Sequence, residues 1–316
     1  MKKAPLAAVA ALLLAAVLPL NAAETLKIAV IPKGTTHSFW KSVQAGAQAA
    51  AKDLGVEIIW KGPLKENDRA QQIAIVEQMI ADNVNGIVLA PLDDTALARP
   101  VQAAGQKKIP VVIFDSALKG TVGKDFVSFV ATDNKKAGES GGIKLAELLG
   151  GKGKAVLLRY QVGSASTDER EAGFLEGVKK STDISVISAN RYAGATMAEA
   201  KTASLNMIDK IKEGDGIFTP NESSTMGMLL ALRQAGLAGK KKFVGFDGSA
   251  ALVEGLKKGD IDALVLQNPK KMGYEAVKTL VAHIKGEKVE PRIDSGAGLA
   301  TKDNIDSAEI KSLLGE

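Results

Sequence analysis

Planar polar side chains recur where the short apolar runs of this 316-residue chain end, and their types suit the capture of a polyhydroxylated molecule. Lys33, His37, Phe39 and Trp40 follow the run closing at Ile31, and Asp115 with Ser116 follows Phe114. A loop after Arg159 ends in Asp168, Glu169 and Arg170. Asn221 and Glu222 come after Pro220, Asp247 after Phe246, and Gln267 after Leu266. Carboxylates, amides and guanidinium groups bridge adjacent hydroxyls with paired hydrogen bonds, and aromatic faces cover the C–H side of a sugar ring. Asp115, Arg170, Asn221, Asp247 and Gln267 with Phe39 and Trp40 therefore make a polyol-binding set. Taken singly, an Asp at a strand end is as often a helix cap and Phe39 is more often core. Their joint occurrence at six strand ends favours binding.

Bond-making chemistry finds little support. Gly138-Glu139-Ser140-Gly141-Gly142 matches a nucleophile elbow in letters, but that turn must follow a strand directly, whereas Ser140 falls about two turns into a helix beginning after Asp133. The two histidines, His37 and His283, are far apart, there is no cysteine, and no His-Glu-x-x-His occurs, so neither a catalytic metal nor a structural zinc is expected. Gly150-Gly151-Lys152-Gly153-Lys154 precedes a strand and lacks the Ser or Thr of a phosphate loop, so it reads as a helix-stopping turn. No GxGxxG fingerprint is present, and no cofactor is implied. His37 either faces the ligand or merely opens the first helix. Lys61, Lys65, Arg69 and Lys240 to Lys242 read as solvated.

The elements that must position these groups alternate in type. Leu26 to Ile31, Val56 to Trp60, Gly86 to Leu89, Val111 to Phe114 and Val127 to Ala131 are runs of buried parallel strand. A second set comprises Lys154 to Arg159, Ile184 to Asn190, Gly216 to Thr219, Lys242 to Phe246 and Asp262 to Leu266. Amphipathic stretches lie between them, as in His37 to Leu54. An α/β fold of two doubly wound parallel-sheet lobes follows, with ligand beyond the carboxyl ends of the strands.

Met1, Lys2 and Lys3 lead into the apolar run Leu6 to Leu20, and Ala22-Ala23 precedes Glu24, the pattern of a signal peptide cut after Ala23. Pro19 interrupts the run, which is short of the ~20 residues of a membrane span. With no cysteine to carry lipid or disulfide, a free periplasmic protein is expected. Removing Lys2 and Lys3 leaves 39 basic against 36 acidic residues, a net charge of +3 that gives no reason to expect nucleic acid. The remaining 293 residues suit two lobes.

Val244-Gly245-Phe246-Asp247-Gly248 and Ala131-Thr132-Asp133-Asn134 give the chain its resemblance to periplasmic sugar-binding proteins of the ribose-binding type, which share their fold with the effector lobes of lac-repressor-like regulators. The resemblance covers essentially the whole chain after the leader. It implies a type I periplasmic binding protein fold, with a sugar held between lobes and passed to an ABC transporter permease. Its sugar contacts would fall on Phe39, Trp40, Asp115, Arg170, Asn221, Asp247 and Gln267. His37, Ala90 and Ser116 depart from the ribose pattern, and the loop Tyr192 to Thr196 supplies no matching aromatic, which argues against ribose itself. The family pattern implies three hinge crossings, near Thr132-Asp133, Gln267-Asn268 and Gly296-Ala297. Lobe one would then be 24–132 plus 268–296, and lobe two 133–267 plus 297–316. A monomer is expected, touching the membrane only through the permease.

Ile31-Pro32-Lys33 and Gly62-Pro63 are similar to binding proteins for autoinducer-2 and their rhamnose-binding relatives. That second likeness implies ligand positions at Lys33, Asp115, Asp168, Glu169, Pro220 and Glu222, and an alternative role as a sensor presenting its ligand to a membrane receptor. Glu169 and Glu222 depart from it, so an ordinary monosaccharide ranks ahead. An export leader where a helix-turn-helix would stand disfavours a transcriptional regulator.

Overall fold

A computed structural model describes residues 25–181 and 183–315. The signal peptide expected at 1–23 lies outside the described residues. From the first described strand the chain alternates β1 (Lys27–Ile31), α1 (Ser38–Leu54), β2 (Glu57–Trp60), α2 (Arg69–Ala81), β3 (Gly86–Leu89), α3 (Ala98–Gln106), β4 (Val111–Phe114) and β5 (Ser128–Ala131). A second series runs α4 (Asn134–Leu148), β6 (Lys152–Arg159), α5 (Ala165–Lys179), β7 (Asp183–Tyr192), α6 (Met197–Asn206), α7 (Ile208–Glu213), β8 (Gly216–Phe218), α8 (Glu222–Gln234), β9 (Lys242–Phe246), α9 (Ala250–Lys258) and β10 (Ala263–Gln267). Last come α10 (Pro269–Ile284), β11 (Arg292–Asp294), β12 (Ala297–Thr301) and α11 (Ala308–Leu314).

Two six-stranded sheets result, ordered β11-β5-β4-β3-β1-β2 and β12-β10-β9-β8-β6-β7. Strands such as Val111–Phe114 are buried along their whole length because helices cover both faces, so they read as unbroken apolar runs. In the first sheet α1 and α10 pack Trp40, Val43 and Leu280 against Val30 and Phe114, while Ile75, Met79 and Val101 fill the other face. In the second, Leu145, Phe174 and Phe218 form one layer, and Leu229, Phe243 and Leu252 the other. The fold is therefore the two-lobed, doubly wound α/β arrangement.

The chain passes between the sheets three times: from β5 into α4, from β10 into α10, and from β11 into β12. The last passage adds one antiparallel pair to the otherwise parallel sheets. Only Ser295 and Gly296 separate β11 from β12, so no helix can carry the chain back to the far end of the second sheet. β12 enters at the end where β10 leaves and must pair with it antiparallel. Neither β11 nor β12 stood out in the sequence, because Arg292-Ile293-Asp294 and Ala297-Gly298-Leu299-Ala300-Thr301 lack a buried apolar run.

Helix pairs beside each sheet cross at glycines. A Cβ on Gly46 of α1 would lie 1.9 Å from the Lys270 carbonyl oxygen, and one on Gly138 of α4 would lie 2.0 Å from that of Arg170. The Gly-Glu-Ser-Gly-Gly stretch thus serves helix packing. Ser140 sits inside α4, with its hydroxyl donating to the Ala137 carbonyl at 2.7 Å.

Candidate functional site

The carboxyl ends of the two sheets face each other, and the loops leaving them bring most of the sequence-derived candidates to one place. Lys33, His37, Phe39, Trp40, Asp115, Arg170, Asn221, Asp247 and Gln267 all line a single cavity. Asp168 does not. Asp168, Glu169 and Arg170 lie on α5 rather than on a loop, because the helix starts at Ala165 behind Ser164; its rotation turns Arg170 inward and leaves Asp168 exposed. Ser166 and Thr167 take the inward positions instead.

The two strand-end aspartates are built alike. Asp115 follows β4 with φ 61° and Asp247 follows β9 with φ 71°, a left-handed conformation that is uncommon outside glycine. Each is held by its own N–H, which donates across to the neighbouring strand: Asp115 to Val130 O at 3.0 Å, Asp247 to Val265 O at 2.8 Å. The kink aims both carboxylates into the cavity.

Two opposite-charge pairs, Lys33–Asp115 and His37–Glu66, lie in the cavity wall, and its other charged groups are held by hydrogen bonds. Lys33 Nζ lies 2.9 Å from Asp115 Oδ2 and donates to Ser166 Oγ at 2.8 Å, reaching from the first sheet to α5. Arg170 donates from Nε to Asn134 Oδ1 at 2.8 Å and from Nη1 to Pro220 O at 3.0 Å. Its guanidinium lies 4.1 Å from the centre of the Phe246 ring. Among the described residues Nη2 is buried with no hydrogen-bond partner, which leaves its N–H groups for a bound molecule. Asp247 accepts from Gln267 Nε2 and from the Glu222 N–H, both at 2.8 Å. Burial pushes its carboxyl up to about 6 against the pull of Arg170. Asn221 caps α8 through Oδ1 and donates from Nδ2 to Ser223 Oγ.

His37 opens α1 and also lines the cavity. It is the N-cap residue of α1 without a capping side-chain bond, so its imidazole is free to turn into the cavity, where Nδ1 sits 2.6 Å from Glu66 Oε1. The bare N–H groups of Ser38 and Phe39 are met from the other lobe, by Glu222 Oε1 at 3.1 Å and Oε2 at 2.9 Å.

Glu66 and Tyr160 line the cavity and were missed from the sequence. Glu66 stands in the charged stretch Lys61 to Arg69, whose composition reads as solvated, yet it is 5% exposed. Arg69 from that stretch stays exposed as expected, and from the surface it pairs with Asp93 at 2.6 Å and donates to Val162 O of the second lobe. Tyr160 directly follows β6, so the strand-end rule applied there would have found it.

The space between these walls amounts to about 310 Å³, part of it open to solvent. Apart from Arg170 Nη2, the polar walls are largely bonded to one another, and an entering hydroxyl takes over bonds that these groups now make among themselves.

Burial acts to lower the His37 pKa, but Glu66, Glu222 and Asp247 outweigh it and raise it to about 9. Burial acts to raise that of Glu66, which His37, Lys33 and Trp40 bring down to about 2. A raised folded pKa at His37 gives stability that is full below 6.5 and is lost as pH rises through 9. The lowered one at Glu66 gives stability that is full above 4.5 and is lost as pH falls through 2. Asp247, raised from 3.8 to about 6, costs stability progressively between those values. Thermal unfolding of the ligand-free protein should therefore show a melting temperature that falls steadily from pH 6.5 to 9; a rise over that range would show that the His37–Glu66 pair is not formed.

Among solved structures, an ABC transporter solute binding protein from Agrobacterium vitis with bound D-fucose superposes at a TM-score of 0.87 with 37% identity, covering 90% of this chain and 99% of the other. A carbohydrate transporter solute binding protein from Agrobacterium radiobacter in complex with D-arabinose also gives 0.87, at 34% identity over 92% and 99%. A D-allose-binding periplasmic protein of Escherichia coli is 30% identical over 83% of this chain and 86% of its own length. The sequence pattern of the periplasmic binding protein domain matches residues 28–288. The two lobes, the cavity between them and that match over most of the chain agree: this chain belongs to the periplasmic binding protein domain family.

Proposed function

We propose that this protein is the periplasmic component of a sugar-importing ABC transporter, capturing one uncharged monosaccharide or related polyol between its lobes and delivering it to the permease. The observation that carries this is the cavity walled from both lobes by hydrogen-bonded carboxylates, amides and Arg170, with acids in excess of bases. A neutral ligand adds no unpaired charge there, whereas a sugar acid or phosphate would bury one at a cost of several kcal/mol, about 3–5 for a broken pair. Relatives named for D-allose and structures holding D-fucose and D-arabinose support the same class. None of these is named for autoinducer-2, so uptake stands ahead of signal presentation.

The ligand contacts are His37, Phe39, Trp40, Asp115, Arg170, Asn221, Asp247 and Gln267, with Lys33 added by its place in the wall. The lobes are 24–132 plus 268–296 and 133–267 plus 297–316, and the three passages between them act as the hinge. A sugar touching both lobes favours the closed form, because only there does it make both sets of contacts. The role is binding without chemistry: Lys33, beside the Ser166 hydroxyl, is paired with Asp115, and the Glu66 carboxylate beside the Tyr160 hydroxyl is paired with His37.

A thermal-shift screen of the mature protein against pentoses, hexoses, deoxy sugars, polyols, sugar phosphates, uronic acids and autoinducer-2 tests this. A neutral sugar at about 100 times its dissociation constant should stabilise by roughly 2.7 kcal/mol and raise the melting temperature by several degrees. Stabilisation by sugar phosphates or uronic acids alone, or by autoinducer-2 alone, would overturn the proposal.

A further inference from the structure

Glu66 stands on the loop between β2 and α2, and each hydrogen bond to its carboxylate comes from a group that walls the cavity. Oε1 accepts from His37 Nδ1 at 2.6 Å and from Trp40 Nε1 at 2.7 Å; Oε2 accepts from the Tyr160 hydroxyl of the second lobe at 2.9 Å. Its main-chain carbonyl accepts from Gln161 Nε2, also of the second lobe, at 2.8 Å. An ionised carboxylate only accepts, so three donors of different chemistry and from both lobes agree on one group. With Nδ1–H committed to Glu66, the ring orientation of His37 is set and Nε2 is the nitrogen left for a ligand.

We propose that Glu66 is a positioning residue for ligand selection: it holds His37 as a donor at Nε2 toward a ring or hydroxyl oxygen of the sugar, and through Tyr160 it completes that arrangement when the lobes meet. The assignment rests on the sugar-binding role proposed above. The titratable groups around His37 are Glu66 from the β2–α2 loop, Glu222 from α8 and Asp247 after β9, with Asp115 and Tyr160 also on the wall and Lys33 and Arg170 as the opposing cations. The carboxylates keep the imidazole protonated at neutral pH, so both of its nitrogens donate. Gln at position 66 would offer one acceptor oxygen and an NH₂ that faces other donors, and the network would break.

Two measurements decide the matter. The chain has two histidines, so the His37 imidazole is assigned by NMR with a His283→Gln variant as reference. In the ligand-free wild type, His37 should remain protonated through pH 8, and in Glu66→Gln it should titrate near or below its ordinary value of about 6.5. Calorimetry with whichever sugar stabilises the wild type should give Glu66→Gln an affinity at least about thirty-fold weaker at pH 8. The ratio to wild type should narrow at pH 5, where the variant's imidazole regains its proton. Tyr160→Phe should lose affinity while leaving the His37 titration in place. Wild-type His37 titrating near 6.5, or Glu66→Gln binding within twofold of wild type, or an equal loss at both pH values, would overturn the assignment. If Glu66→Gln fails to fold, the wild-type titration and Tyr160→Phe still decide. If no sugar binds the wild type, the sugar-binding role fails, and the titration tests the Glu66 network separately.

Discussion

Asp247→Ala is expected to weaken sugar binding by more than a hundredfold and to lower stability at the same time. The wild-type carboxylate satisfies Gln267 Nε2 and the Glu222 N–H and compensates the buried Arg170. Hydrogen bonds to a charged group contribute about 1.5–3 kcal/mol each, and losing the carboxylate leaves less negative charge to offset the buried Arg170. Ala also keeps the left-handed backbone at φ 71° without the side chain that makes it tolerable there. Asp247→Asn separates the effects: it retains the shape and suits the backbone, so it should recover part of the stability while binding remains impaired. Calorimetry and denaturant unfolding of both variants check this, and normal affinity in Asp247→Ala would place the ligand elsewhere.

Gly138→Ala is the second substitution with a large expected effect, and it acts at a distance from the cavity. The added Cβ would stand 2.0 Å from the Arg170 carbonyl oxygen, a backbone atom that can retreat only if α4 and α5 separate. Overpacking of this kind costs about 1–3 kcal/mol and more when backbone must move, so a loss of about 3 kcal/mol is expected. Because the displaced residue is Arg170, sugar affinity should fall as well. Gly105→Ala in α3 is the control. No atom lies within 4 Å of its new Cβ, and replacing an exposed helical glycine by alanine should leave stability unchanged or raise it by up to about 1 kcal/mol. Equal behaviour of the two variants would remove the case for glycine-mediated contact between α4 and α5.

Much of this molecule was legible in one dimension. Strands such as Gly86–Leu89 and Val111–Phe114 are continuous apolar runs because both faces of the sheet are covered, and that double burial leaves a mark that no turn or exposed helix shares. Once the strands were placed, parallel-sheet topology put their carboxyl ends together, so Asp115, Asn221, Asp247 and Gln267 could be picked out from position and type alone. β11 and β12 escaped because edge strands are only half covered and need no apolar run. Asp168, expected on a loop, lies on α5: two residues' difference on that helix separates an exposed carboxylate from the buried Arg170, and the rotation of a helix is set by its packing.

By itself, then, the sequence determined the alternation of elements, the pairing of two similar lobes and the chemical kind of molecule that their facing ends suit, since these follow from hydrophobic burial and chain direction, which are local properties. Which charges are buried was decided only by the tertiary structure. Glu66 looks like any solvated acid between Lys65 and Asn67 until His37, Trp40 and, from the other lobe, Tyr160 donate to it. Removing a carboxylate from water is favourable only when its partners are in place. Those partners lie up to 94 residues away in the chain, and folding alone brings them within hydrogen-bond reach.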